Sequence, residues 1–569
     1  LLFARRGLRF WLARLENGRR KRVQAGEFIV EAGKTDRIEN ADLRNISPSR
    51  VVELVSKATA WRGTQSAHLL LQSFGVFAVC SSLYFLFRSR WLDEWDSVQF
   101  AMGVGNFNLF QHTPHPPGYP LYILFGWLGN RLFHLDAQSA LVLAGCLGGG
   151  LFVACWFWLV SNQMGRGLAW LMALSLTFAP MIWMTATKVL TDMPASAFMA
   201  LELVFVTTYL ARKKIPWIVA AAFVGAVGAG VRPQNFAVIA IVLIITLAAN
   251  QAHRREWAAG LGVLLVGCLL WLVPVCWLQA KQSVTGNDWS SYPWQLLQQW
   301  KWRLDKPEAY IAAAPLHIGY LAGRLWDHTF EAWLRLGLGW SFRTVVGAFG
   351  LILYSTGIVL YLAKRIHRQN NHGAFWRLHL RWSPAYFLMI FCCLPATSRY
   401  YCPLLPLLLL PSIAGLWSLA SRWRYSAAIL PATLLGTITP LAIQSHTAPP
   451  PPVQMIQYLQ SLHPPELRHK VRLVSLDGVR HAQWYAPDLP LALEWDPALD
   501  KDKLLANGMI VYADCDLASL KHWQNLDVHK IASFSRPDMI YAKHARCVLY
   551  RVLSPDTTVA SVPSNTAAE

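Results

Sequence analysis

Between residues 68 and 444 the chain alternates long apolar runs with short polar breaks. Eleven runs are long enough to approach the roughly 30 Å hydrocarbon core of a bilayer as helices. They lie near 68–88, 137–160, 167–187, 193–211, 215–231, 236–250, 257–279, 343–363, 382–396, 402–420 and 425–444. A twelfth stretch, 118–134, contains Pro120, Asn130 and Arg131 and reads as a helix lying at the interface. Residues 1–66 are polar and basic, with Arg19-Arg20-Lys21-Arg22, and hold no apolar run suited to a signal sequence. After Pro449-Pro450-Pro451-Pro452 the pattern changes. Short β-like runs, Val471–Leu476, Met509–Ala513 and Cys547–Leu553, alternate with helical stretches and predict a small α/β domain over 453–569. The expected fold class is an all-α polytopic membrane protein of about eleven transmembrane helices, spanning 67–446, with that C-terminal domain.

Composition agrees. The chain is 54% hydrophobic with only 15% charged residues, and its mean hydropathy is +0.30. That excludes an ordinary soluble enzyme and a disordered chain. The net charge of +20 would suggest a nucleic-acid partner in a soluble protein. Sorted by loop, much of it falls on one side. Arg166, Arg212, Lys213, Lys214, Arg254, Arg255, Lys364, Arg365, Arg368, Arg377, Arg381, Arg422 and Arg424 share the side of the basic tail. The positive-inside rule makes that side cytoplasmic and puts the C-terminal domain outside. The opposite face then receives two long loops, 89–136 and 280–342. The second carries Trp289, Trp294, Trp300, Trp302, Trp326, Trp333 and Trp340, which predicts amphipathic helices at the headgroup level. The ten cysteines form no CxxC pair, and Cys515 with Cys547 is a candidate disulfide of the outer domain.

Candidate chemistry sits in the few charges on the outer side. The first loop opens with Asp93, Glu94 and Asp96 just beyond a membrane helix, where acids face a cavity, a partner or water. On a helix, Asp93 and Asp96 would share a face. The loop closes with His115-Pro116-Pro117-Gly118-Tyr119-Pro120, a rigid turn suited to lining a cavity. Lys188 and Asp192 fall in the second outer loop, Asp192 also reading as an N-cap. Arg232 (in GVRPQN) and the Arg399-Tyr400 pair (in TSRYYCPLLP) lie at outer helix ends, where a guanidinium can grip a phosphate or snorkel. Gly148-Gly149-Gly150 reads as a helix-packing site and Glu202 lies inside a span.

An outward helix, Asp93-Glu94, and about twenty residues later a His-Pro-Pro turn resemble the first luminal loop of the protein O-mannosyltransferases of the GT-C superfamily. Trp95-Asp96-Ser97 with Phe100, followed by HPPGYPLY, also resembles a related group of polytopic glycosyltransferases carrying Asp-Ser-x-Glu-Phe before His-Pro-Pro-Gly-x-Pro-Leu. Gln99 stands where that group has Glu. The first resemblance points to Asp93 as the key acid, slightly ahead, and the second to Asp96. Together they cover about thirty residues.

The resemblance implies a membrane glycosyltransferase of the cell envelope, in a bacterial inner membrane, using a sugar on a polyprenyl phosphate at the outer face. An acceptor hydroxyl, on a glycan, lipid or protein, would lose its proton to Asp93 or Asp96 with Glu94 beside them. His115, Tyr119, Lys188, Asp192, Arg232, Arg399 and Tyr400 would bind substrate, and the configuration would invert. No cofactor is required, a divalent metal is compatible with the carboxylates, and no nucleic acid is involved. Two other readings fit a polytopic chain: a lipid or sugar transporter or flippase, and a non-catalytic envelope-assembly protein of the same fold. The clustering of charged candidates at one face, with no internal repeat, favours the enzyme over the transporter.

Overall fold

The computed structural model describes residues 48–283, 286, 288–295, 318–342, 344–367, 373–393, 397–419, 424–475, 478–493, 510–514, 527–536 and 546–553. The chain divides into two units, 1–72 and 73–569. The first described helix runs from the first unit into the second, and every other described element belongs to the second. The basic tail, Trp300, Trp302 and Cys515 lie wholly or mostly outside the described residues.

Ten of the eleven predicted apolar runs fall on one helix each, and the run 167–187 is split between two. The helices are α1 (Pro48–Leu86), then after α2 (Trp95–Gly105) and α3 (Pro120–Phe133) the run α4 (Ala137–Met164), α5 (Arg166–Phe178), α6 (Pro180–Ala186), α7 (Asp192–Arg212), α8 (Ile215–Val231), α9 (Phe236–Ala249) and α10 (Arg254–Gln282). After α11 (Ile318–Trp326) come α12 (Val345–His367), α13 (Gly373–Cys393), α14 (Leu405–Trp417) and α15 (Ile429–Thr447). Among the described residues, six helical stretches are long and apolar enough to cross a membrane. The bent pair α5–α6 makes a seventh; it turns by 61° at Ala179-Pro180, where proline cannot continue the helix. The others fall short: α8 and α14 are 17 and 13 residues long, and α13 carries Arg377 and Arg381.

Small residues let the helices close up. A Cβ on Gly148 would lie 2.8 Å from the Pro194 backbone and one on Gly150 2.6 Å from the Phe77 carbonyl oxygen, so the triple glycine is a packing surface. Glu202, inside α7, is fully buried, and neither carboxyl oxygen has a hydrogen-bond partner among the described residues. Gly225 of α8 leaves it room. The tryptophan-rich loop is of two kinds. Trp289, Trp294 and Trp326 are half exposed, whereas Trp340 is buried and Trp333 packs edge-on against Tyr401. A π-helical turn, Asp327–Arg335, carries Trp333 there.

The C-terminal region begins with α16 (Pro451–Leu462), whose two prolines occupy the first turn, where no N–H is needed. A five-stranded sheet follows in the order β2-β1-β3-β5-β4, from β1 (Val471–Ser475), β2 (Leu491–Leu493), β3 (Ile510–Ala513), β4 (Asp527–Ser535) and β5 (Arg546–Leu553). β1 pairs in parallel with β2 and β3, and β5 is antiparallel to β3 and β4. The hydrophobic pattern located β1, β3 and β5 and missed β2 and β4. Met455, Ile456 and Leu459 of α16 pack on Val471, Leu473, Tyr512 and Leu549 of the sheet. Cys547 is buried, with its Sγ 3.3 Å from Met455 Sδ. Between β1 and β2, α17 (Val479–Tyr485) packs Ala482 into the sheet's core and also contacts α2.

Candidate active site

α2 begins at Trp95 because Glu94 is extended, with φ −112° and ψ 156°. Asp93 therefore lies outside the helix, and the expected shared face with Asp96 does not form. The two acids enter separate clusters.

Asp93 is the closed one. Its side chain is 2% exposed, and Lys188 Nζ lies 2.9 Å from its Oδ2. Arg536, just after β4, donates from Nη1 to Oδ1. Burial would raise this carboxyl, but Arg536 and Lys188 together hold it well below the usual carboxylate range. Glu94, next in sequence, has the opposite balance. Burial pushes it up to about 7, and Lys188, Arg399 and Arg536 only partly oppose this. Arg536 Nη2 stands 3.9 Å from Glu94 Oε1.

Asp96 is the open one, with a third of its side chain exposed. Arg399 Nη2 donates to its Oδ2 at 2.9 Å, and His115 Nδ1 stands 3.9 Å from Oδ1. Burial raises this carboxyl too, but His115, protonated in the acid range concerned, and Arg399 outweigh it and keep Asp96 ionised. Arg399 Nε also approaches Asp192 Oδ2, at 4.0 Å. Asp192 Oδ1 pairs with Arg232 Nη1 at 3.0 Å, so Asp192 is an ion-pair partner, and the N-cap position belongs to Thr191. Thr191 Oγ1 accepts from Arg232 Nη1 at 2.8 Å. Both guanidinium carbons lie 5.2 Å from the Tyr400 ring centre. Asp192, Ser196, Arg232, Tyr386, Arg399 and Tyr400 are among the walls of a small cleft.

The His-Pro-Pro turn is set against α2 by shape. Gly103 has no Cβ where Pro114 Cδ approaches; one there would lie at 2.8 Å. Gly118 takes φ +91°, a conformation that favours glycine, as Leu109 and Phe107 close in. The turn delivers His115 to Gln99, 2.7 Å from Nδ1 to Oε1. His115 Nε2 meets the Tyr119 hydroxyl at 3.1 Å, and that hydroxyl accepts from Gln234 Nε2 at 3.0 Å. Gln99 Oε1 can only accept, so Nδ1 carries a proton toward it, and in a neutral ring Nε2 then accepts from the Tyr119 hydroxyl. Burial also lowers the His115 pKa, so the neutral ring fits both observations. Gln99, the departure from the resembling motif, thus accepts from a neutral imidazole without adding a charge.

The expected residues come together in two groups: Asp93, Glu94 and Lys188 in one, and Asp96, His115, Tyr119, Asp192, Arg232, Arg399 and Tyr400 in the other. Lys188 is spent on Asp93 and does not line the cleft. Sequence reasoning missed Arg536, Gln234 and Tyr386. Among the described residues no group of three His, Cys, Asp or Glu converges as a metal site. Asp93, Asp96 and Asp192 each face a guanidinium or ammonium, so a divalent ion would have to displace one.

Residues 114–278, from the proline-rich turn through most of α10, match the model of the dolichyl-phosphate-mannose-protein mannosyltransferase family. No curated protein matches in a sequence search. Among solved structures, ArnT from Cupriavidus metallidurans bound to undecaprenyl phosphate is similar over 85% of this chain and 97% of its own, at 14% identity and a TM-score of 0.53. ArnT from the same organism in the apo state is similar over 87% and 98%, at 16% identity and a TM-score of 0.50. The chain thus shares the fold of ArnT over most of its length, and its segment 114–278 matches the dolichyl-phosphate-mannose-protein mannosyltransferase family model.

Proposed function

We propose that the protein is an inverting glycosyltransferase that moves a sugar from a polyprenyl phosphate to an acceptor hydroxyl at the outer face of the membrane. The observation that carries this is the small cleft with Arg232 and Arg399 in its wall, and Asp96 tied to Arg399 beside it. Two guanidiniums facing one cavity suit a phosphate, which they grip by paired N–H donors. The similarity to a protein bound to undecaprenyl phosphate supports a lipid-phosphate donor.

Asp96 acts as the base in this reading. Asp93 has both oxygens committed to cations, whereas among the described residues the nearest partner of Asp96 Oδ1 is His115 at 3.9 Å, which leaves it open to a hydroxyl. The acceptor O–H proton passes to Asp96 as its oxygen attacks the anomeric carbon. The bond from that carbon to the phosphate oxygen breaks on the opposite side, and its electron pair leaves with the phosphate. Arg232 and Arg399 stabilise the charge that develops there. Attack and departure on opposite faces invert the configuration.

The test is transfer from defined polyprenyl-phosphate sugars in membranes holding the full chain. The reading expects transfer by the parent and its loss in Asp96→Asn. Parent-level transfer by Asp96→Asn removes Asp96 as base. No transfer by the parent from any such donor, with the fold intact, removes the reading.

A further inference from the structure

The proposed sugar transfer leaves the Asp93, Glu94, Lys188 and Arg536 cluster without a task. Lys188 alone neutralises Asp93, so charge balance there does not require Arg536. Arg536 adds a planar fork with a fixed direction, reaching both Asp93 and Glu94 from the end of β4. α17 makes a second tie from the same region. The Tyr485 hydroxyl accepts from the Leu92 backbone N–H at 2.8 Å, and His481 Nε2 donates to the Leu92 carbonyl at 3.1 Å. Leu92, Asp93 and Glu94 are thus held by two separate elements of the C-terminal region. Glu94 is the N-cap of α2, and Asp96 sits in its first turn. The backbone these ties hold therefore leads directly into the residue assigned as base.

We propose that Arg536 is a positioning residue: by fixing Asp93 it sets the start of α2, and with it the place where Asp96 presents its carboxylate. The C-terminal region then completes the site, supplying the clamp on the first loop. The assignment of a role to Asp96 rests on the proposed sugar transfer; the clamp does not.

The test measures amide exchange over residues 89–98 in the full chain in detergent, beside the rate of sugar transfer. Arg536→Gln is expected to exchange there at least about tenfold faster than the parent. Arg536→Lys, which keeps the charge, should recover part of that protection. Transfer by Arg536→Gln should fall in kcat with the donor KM nearly unchanged. If Arg536→Gln does not accumulate, Tyr485→Phe, which leaves Lys188 and Arg536 in place, probes the second tie through the same peptide. Parent-like exchange in Arg536→Gln, or no recovery in Arg536→Lys, overturns the proposal. Faster exchange in a chain whose parent transfers no sugar sinks the transfer reading and leaves the clamp standing.

Discussion

Arg399 donates to Asp96 across 303 residues of chain, at 2.9 Å. One side chain therefore lines the cleft proposed for the phosphate and also holds the carboxylate proposed as base. Removing Arg399 should act on both. In Arg399→Gln the Asp96 carboxyl loses a cation and its pKa rises, so the acid limb of the transfer profile should move to higher pH. The rate at its optimum should fall by about 10²–10³. Initial rates from pH 4 upward check this, and an unmoved acid limb would separate Arg399 from Asp96 in function.

The two aspartates should fail differently. Asp96→Asn keeps the shape, and its loss should be one of rate, by roughly 10²–10⁴ as for a general base. Asp93→Asn leaves Lys188 and Arg536 buried without their anion, a defect that typically costs about 3–5 kcal/mol. Its signature should be a lower melting temperature. Melting curves and transfer rates of both variants, measured on the same preparations, distinguish the two patterns.

Glu94 gives a pH dependence of stability with a definite sign. Its pKa rises from 4.5 to about 7 in the fold, so the folded chain holds this proton more tightly than the unfolded one. Its contribution is fully present below 4.5 and is lost as pH rises through about 7. Asp93 and Asp96 shift the other way, and their contributions fade only as pH falls below the usual carboxylate range. Glu94→Gln should flatten the fall in melting temperature between those two pH values. A slope equal to the parent's would show that Glu94 does not set it.

Gly103→Ala tests how the proline-rich turn is seated. The added methyl would meet Pro114 Cδ at 2.8 Å and force the turn away from α2. Overpacking of this kind costs about 1–3 kcal/mol. The His115–Gln99 bond should loosen with it. Melting temperature and the His115 ring signals in NMR read the two effects separately.

Much of this site was legible because the membrane makes charge conspicuous. In a chain with 15% charged residues, acids and arginines at the ends of apolar runs stand out. Asp96, Asp192, Arg232 and Arg399 were found that way, and the His-Pro-Pro turn announced itself through its composition. The order of Asp93 and Asp96 was not legible, because it depends on where α2 starts. One extended residue, Glu94, sends the two side chains into different surroundings. Arg536 left no local mark; it is an ordinary arginine beyond a strand that the hydrophobic pattern did not reveal. Apolar content also located α8, α9 and α14, which are 17, 14 and 13 residues long.

The clamp on the first loop also has a consequence in time. Arg536 is 443 residues beyond Asp93, which at about 5–20 residues per second is roughly 20–90 s of translation. Of the three cations, Lys188 is made first, Arg399 much later, and Arg536 last. Chains interrupted during synthesis thus carry the first-loop acids without their full set of cations. The charge cluster closes only after the strand that leads to Arg536 has been made, so the ribosome itself times the assembly of the site.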